Sequence, residues 1–303
     1  VLTVFTFPPF FTDYFTVFFA ILIEAVPFIT LGVLVSGFLT VFIRDEWLLK
    51  LIPKQAFFAH LTVAFLGFLF PVCECGNVPV ARRLITKGLP VSQAVTFLLA
   101  APVINPVVIL ATYTAFHFAP EVVYLRVGIS LFIALTTGLI VSRFSDQEEL
   151  LTTTVVEQCG VHDHFPESFK EKIATFLSTT RQEVFEMTSS LLVGAAIASA
   201  TTNLPRNMII SIAHNPLLAA LAMMTLALVL SICSTVDAFV ALGYVGKFPT
   251  SAILAFLIFG PMIDFRVISM MRTTFKWKLV LTIFMVVAEM VLSISILLSF
   301  LGK

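Results

Sequence analysis

Apolar stretches long enough to cross a lipid bilayer recur along this chain from end to end. A helix needs roughly 20 apolar residues to traverse a hydrocarbon core of about 30 Å. Runs of that order stand at 13–43, 56–75, 90–116, 121–143, 173–202, 216–233, 249–270 and 279–301. Backbone N–H and C=O groups find no partners in hydrocarbon, so such segments must satisfy them internally as helices. The predicted fold class is therefore an all-α polytopic membrane protein with eight apolar segments. A chain that is 59% hydrophobic and 12% charged, with mean hydropathy +1.04, is not a soluble enzyme.

Charge narrows the partners. Eighteen basic and 18 acidic residues cancel, so no global field points to nucleic acid or to an acidic substrate. The expected partners are the bilayer and a small-molecule or ion substrate, with a homo-oligomer left open. Residues 1–11 carry neither a basic n-region nor a small-residue cleavage site, and the first helix is expected to act as its own insertion signal.

The segments fall into two sets of four, separated by the one long polar stretch. We expect a first transmembrane half over 1–144, a polar cytoplasmic linker over 145–172 and a second half over 173–303. The halves repeat each other. The run from Phe97 to Asn105, with Pro102, lies over the run from Phe256 to Asp264, with Pro261, and Pro90 lies over Pro249. Upstream, Cys73 and Asn77 match Cys233 and Asp237, and Glu24 and Gly32 match Glu186 and Gly194. Internal repetition of this kind is typical of transporters.

Eight full crossings would set the halves parallel and put the basic loops around Arg44 and Arg82 on opposite faces. If the second segment of each half is instead a broken, re-entrant hairpin, the halves are inverted. Arg44, Lys50, Lys54, Arg82, Arg83 and Lys87 then share one face with Arg143, Lys170, Lys172, Arg272, Lys276 and Lys278, leaving Arg206, Lys247 and Lys303 opposite. That asymmetry is what cytoplasmic loops show, and it favours the inverted arrangement. The mixture of Pro71, Gly76, Asn77 and Pro79 is expected to end helices.

The segment Pro71-Val72-Cys73-Glu74-Cys75-Gly76-Asn77-Val78-Pro79, followed by Lys87-Gly88-Leu89-Pro90 and by Ala101-Pro102 with Asn105-Pro106, resembles the DUF318 permease family, also called YraQ-like, ArsP-like or UPF0718. Cys233-Ser234-Thr235-Val236-Asp237 is similar to the second-half counterpart of that motif, and the resemblance covers nearly the whole chain outside the linker. It implies a multi-pass permease of the bacterial inner membrane, and some members export trivalent organoarsenicals. Glu74 stands between the cysteines where members often carry a small residue.

Read from the residues themselves, Cys73, Cys75 and Cys233 would bring three soft sulfurs together if the two breaks meet at mid-membrane. Thiolates suit trivalent arsenic, copper(I) or zinc. Small membrane cysteines also serve simply as packing groups. Intramembrane acids are costly and by default mark a pathway or a proton site. Glu24, Glu186, Asp237, Asp264 and Glu289 qualify, with Asp237 and Asp264 the foremost candidates for a coupling proton. The plainer alternative is that these acids pair with Arg126 or Arg266. Gly32, Ser36, Gly37, Gly194, Ala195, Ala198 and Ser199 recur at helix-packing spacing.

The linker's Cys159, His162, Asp163 and His164 lack standard metal spacing and read as a solvated loop. No Walker A motif or cofactor box appears, so no cofactor is expected. The reading is a non-enzymatic permease working by alternating access. Cys73, Cys75, Asn77, Asn105, Cys233, Asp237 and Asp264 are its substrate-binding candidates, and Glu24 and Glu186 line the route. A channel or carrier for a soft metal ion or a sulfur-containing anion uses the same residues. A membrane thiol oxidoreductase is the alternative from another class, disfavoured because Cys-x-Cys is not the redox Cys-x-x-Cys spacing.

Overall fold

The computed structural model describes residues 55–69, 74–144, 148–153, 169–201 and 215–301, together with 53, 155, 156 and scattered positions between 14 and 37. Among these the chain is helical, with no named strand and only two isolated bridges. The described positions between 14 and 37 are helical. Helices α1 (Ala56–Leu69), α2 (Glu74–Thr86), α3 (Val91–Ile104), α4 (Pro106–Ala115) and α5 (Glu121–Val141) follow. After a short 3-10 turn at Glu148–Leu150 come α6 (Phe169–Thr201), α7 (Pro216–Leu230), α8 (Asp237–Leu242), α9 (Thr250–Met262), α10 (Phe265–Thr274) and α11 (Trp277–Phe300).

Among the described residues three stretches are long and apolar enough to span a bilayer: α5, α9 running into α10, and α11. The pair α3 and α4, bent by 40° at Asn105, makes a fourth when taken together as one broken span. The expected apolar stretches 90–116 and 249–270 are thus each two helices joined at a break, and α10 carries the second as far as Thr274. One expectation needs correction. The Pro71 to Pro79 stretch was read as a helix breaker, but α2 begins at Glu74 and carries Gly76, Asn77 and Pro79 within it. Pro79, the sixth residue of α2, lies past the free first turn and removes one ladder bond, and the buried packing of Asn77, Val78, Val80 and Ala81 around it holds the helix in spite of that loss.

Packing follows the order of the chain. α1, α3 and α5 pack on one another, and α7, α9 and α11 do the same. The two triads meet through α3 and α5 against α9, and α5 against α11. The short helices cross over reciprocally, with α2 against α10 and α4 against α8. The chain after α5 returns to the second triad's end, where Thr152 N–H donates to Thr274 O at 3.1 Å and Lys276 N–H to Leu150 O at 2.9 Å.

Two glycines permit the close approaches in the first triad. A Cβ on Gly67 of α1 would run into Ala101 Cα and Cβ on α3, and one on Gly138 of α5 would strike Thr96 Oγ1 on α3. Small residues at such crossings let helix backbones come together where lipid offers no hydrophobic drive. The same contact holds a buried polar pair, His60 Nδ1 and Thr96 Oγ1, 2.7 Å apart. Of the expected packing positions, a Cβ on Gly37 would lie 3.0 Å from Phe176 and Thr180, and Ala195 and Ser199 are buried. Gly32 and Ser36 lie outside the described residues, and the side-chain surroundings of 194 and 198 are likewise not described.

Candidate functional site

α7 ends because Ser231 turns into the left-handed region at φ 45°, the one non-glycine residue among those described to do so. A non-glycine residue there costs on the order of 1–3 kcal/mol. Its N–H closes on Ala227 O. The chain then makes a tight turn in which Val236 and Asp237 N–H both donate to Cys233 O, at 2.9 and 3.0 Å, and α8 starts at Asp237. This break puts backbone donors and three polar side chains into the protein interior: Cys233, Ser234 and Asp237 are all buried.

The first motif meets this turn. Glu74, buried at the start of α2, accepts the Ser234 N–H on Oε1 at 2.8 Å and the Cys233 thiol on Oε2 at 3.6 Å. A carboxylate collecting N–H and S–H donors at a helix break is well placed chemically, since buried acceptors must be satisfied. Asp264 and Arg266 lie within electrostatic reach of Glu74, and Glu74 within reach of Asp237. Asn77 follows Glu74 by one turn of α2, which puts it on the same face. It is fully buried, and among the described residues neither polar atom of its carboxamide has a hydrogen-bond partner.

Two ion pairs flank this junction. Arg126 of α5 donates from Nη1 and Nη2 to the two carboxylate oxygens of Asp237, at 3.1 and 2.5 Å, and Nη1 also reaches Thr112 Oγ1 of α4 at 2.7 Å. Asp264 accepts Arg266 Nε at 2.9 Å and Nη2 at 2.7 Å, while its other oxygen caps α10 by accepting Val267 N–H at 2.6 Å. Asn105 caps α4 in the same way, accepting Val107 N–H at 2.9 Å. Both residues sit at helix breaks, where a side-chain acceptor replaces the missing intrahelical bond.

Of the residues singled out from the sequence, Asn77, Asn105, Cys233, Asp237 and Asp264 are buried. The plainer alternative for Asp237 and Asp264 is what the geometry contains: each is engaged by an arginine. Cys73, Glu24, Cys159, His162, Asp163 and His164 lie outside the described residues, and the side chains of Cys75 and Glu186 are not described. Glu289 is exposed on α11. Glu74, Ser234 and Thr112 were not on the sequence-derived site. Glu74's departure from the family habit was the one signal that could have found it. Among the described residues no group of three or more His, Cys, Asp or Glu is arranged to hold a metal.

A family model described as predicted permease matches residues 11–300. The chain belongs to this family of ArsP-like permeases. It is 38% identical over 283 residues to the UPF0718 protein YcgR of Bacillus subtilis, covering 93% of this chain and 95% of that one. It is 36% identical over 266 residues, 88% of each chain, to a Streptococcus mutans protein whose name describes a candidate subunit of a two-component membrane permease complex. No solved structure matches the chain. The permease is an integral membrane protein, as its apolar spans require.

Proposed function

We propose that this permease moves a small solute by alternating access between two homologous halves, 1–144 and 173–303, joined by a cytoplasmic linker over 145–172 in a bacterial inner membrane. The observation that carries this reading is the contact of Glu74, inside the first cysteine motif, with Ser234 and Cys233 of the second. The start of α2 and the break after α7, far apart in sequence, converge on one buried polar junction, the arrangement in which transporters hold their cargo at mid-membrane.

In this reading Cys73, Cys75 and Cys233 contact the solute through sulfur. Asn77, Asn105, Asp237 and Asp264 complete the site, Glu74 joins it, and Glu24 and Glu186 line the route. The cargo is a thiol-reactive metalloid such as a trivalent organoarsenical. Support for inverted halves comes from α7. With 15 residues between Asn215 and the turn at Ser231, it reaches only about 23 Å at 1.5 Å per residue, short of a hydrocarbon core of about 30 Å. It suits one arm of a re-entrant hairpin. The name of the Streptococcus mutans relative further suggests that the permease works with a second membrane component.

The test is uptake by proteoliposomes across trivalent arsenicals, copper(I), zinc and sulfur anions, with Cys73→Ser, Cys75→Ser and Cys233→Ser singly and together. Selective uptake of an arsenical, lost in the triple variant, is the expected result. Uptake unchanged in the triple variant removes the thiols from the mechanism, and selective uptake of a metal ion or sulfur anion replaces the cargo.

A further inference from the structure

α11 has two unlike faces. Ile283, Val287, Val291 and Ser295 are buried, the last donating to Ser251 O of α9 at 3.0 Å. Phe284 stacks edge-on against Phe259, and Met290 receives the Thr136 hydroxyl of α5. The opposite face, made by Leu281, Met285, Glu289, Ser293 and Leu297, is exposed. Four residues separate each from the next, so they form one ridge along the helix.

An acid in the middle of that ridge is out of place against lipid. Trp277 marks the membrane interface at one end of α11, stacked under the Arg272 guanidinium at 5.4 Å and followed by Lys278. Glu289 lies 12 residues further along, about 18 Å at 1.5 Å per residue, near the middle of a core of about 30 Å. Among the described residues it has no hydrogen-bond or ion-pair partner. On the same ridge Met285 and Leu297 are each 59% exposed and Leu281 is 46% exposed, with Ser293 the one other polar side chain, so the surrounding surface is mostly hydrocarbon. Ionisable residues in membrane helices face protein or water, because hydrocarbon solvates neither charge nor hydrogen bond. The repeat does not explain Glu289, since the same register in α5 puts a buried serine, Ser130, there.

We propose that this ridge of α11 is the docking surface for a transmembrane helix of a different protein, which presents a lysine or arginine to Glu289 at mid-membrane. Charge complementarity selects that occupant. A second copy of the chain docking through this ridge about a twofold axis would set Glu289 against Glu289, because a twofold interface is self-complementary, and two carboxylates repel. A basic helix neutralises the acid and covers the apolar ridge in one step. The partner's identification as the second component of a permease complex rests on the reading above; the surface itself rests only on the exposed acid.

The experiment places a photoreactive phenylalanine analogue at Met285 or Ser293 in the full chain, expressed in its native membrane, with Tyr124 on α5, 76% exposed, as the control position. The cross-linked peptide is sequenced by mass spectrometry. We expect an apolar span of another protein containing lysine or arginine, absent at the Tyr124 position. Glu289→Leu should cut the yield at least tenfold, and Glu289→Lys with the partner's basic residue changed to glutamate should restore it. Glu289→Leu should leave the thermal midpoint of the isolated permease unchanged, which separates lost docking from lost folding. Cross-links only to lipid, to a second copy, to another segment of this chain or to a span lacking a basic residue overturn the proposal, as does a yield indifferent to Glu289→Leu. Transport is not part of the readout, so failure of the permease reading in proteoliposomes leaves this result standing on its own.

Discussion

Arg126 on α5 grips Asp237 at the head of α8 with both terminal nitrogens, at 3.1 and 2.5 Å, and both side chains are almost fully buried. The pair ties the first part of the chain to the second break, with Thr112 of α4 as a third member.

Removing one partner strands the other's charge in a low dielectric. Asp237→Ala or Arg126→Ala should each lower stability by about 3–5 kcal/mol, read as a fall in the thermal midpoint of the detergent-solubilised protein. The apolar double replacement Arg126→Met with Asp237→Leu should recover most of that loss, because it removes both desolvated charges together. If Asp237 also serves the solute, the double variant folds but does not transport.

Asn105 and Asp264 each cap a helix, and Asp264 also takes two donors of Arg266. Asn105→Ala should cost at least about 1 kcal/mol, the loss of an N-cap. Asp264→Ala should cost more, since it removes the cap on Val267 together with the carboxylate that takes two donors of Arg266. Asp264→Asn keeps the cap acceptor and should fall between them. Thermal midpoints of the three variants, ranked in that order, check the assignment.

Glycine to alanine changes should differ in sign along the first triad. Gly67→Ala presses a methyl group into the Ala101 backbone and should destabilise by about 1–3 kcal/mol. Gly138→Ala collides with Thr96 and should also disturb the His60–Thr96 pair. Gly128 on α5 has nothing within 4 Å of an added Cβ. There the gain in helix preference, about 0.5–1 kcal/mol, should appear unopposed as a small rise in midpoint.

Single cysteines at positions 55, 86 and 247 in a cysteine-free background report topology by impermeant labelling. Inverted halves require 55 and 86 to label from one side and 247 from the other. Labelling of 86 together with 247, and opposite 55, establishes eight full crossings and parallel halves.

The places where the sequence reading met the structure share a physical basis. Hydrophobic runs and prolines act locally, so α3, α5, α7, α9 and α11 lie close to their expected stretches, and Asn105 and Asp264 fall at breaks next to Pro106 and Pro261. Gly76, Asn77 and Pro79 stand inside α2 although each disfavours a helix locally, because tertiary burial of that segment overrides the local preference.

The sequence by itself determined that this chain is a helical membrane protein with breaks beside its prolines, because hydropathy and proline placement are written residue by residue, and its motifs carried the likeness to the permease family. Only the tertiary structure decided which charges meet. Arg126 and Asp237 are separated by 111 positions and Glu74 and Ser234 by 160, and no local pattern encodes such a pairing. It arises when the reciprocal packing of α2 on α10 and α4 on α8 brings both breaks to one buried junction, where low dielectric makes every unpaired charge costly and so fixes its partner.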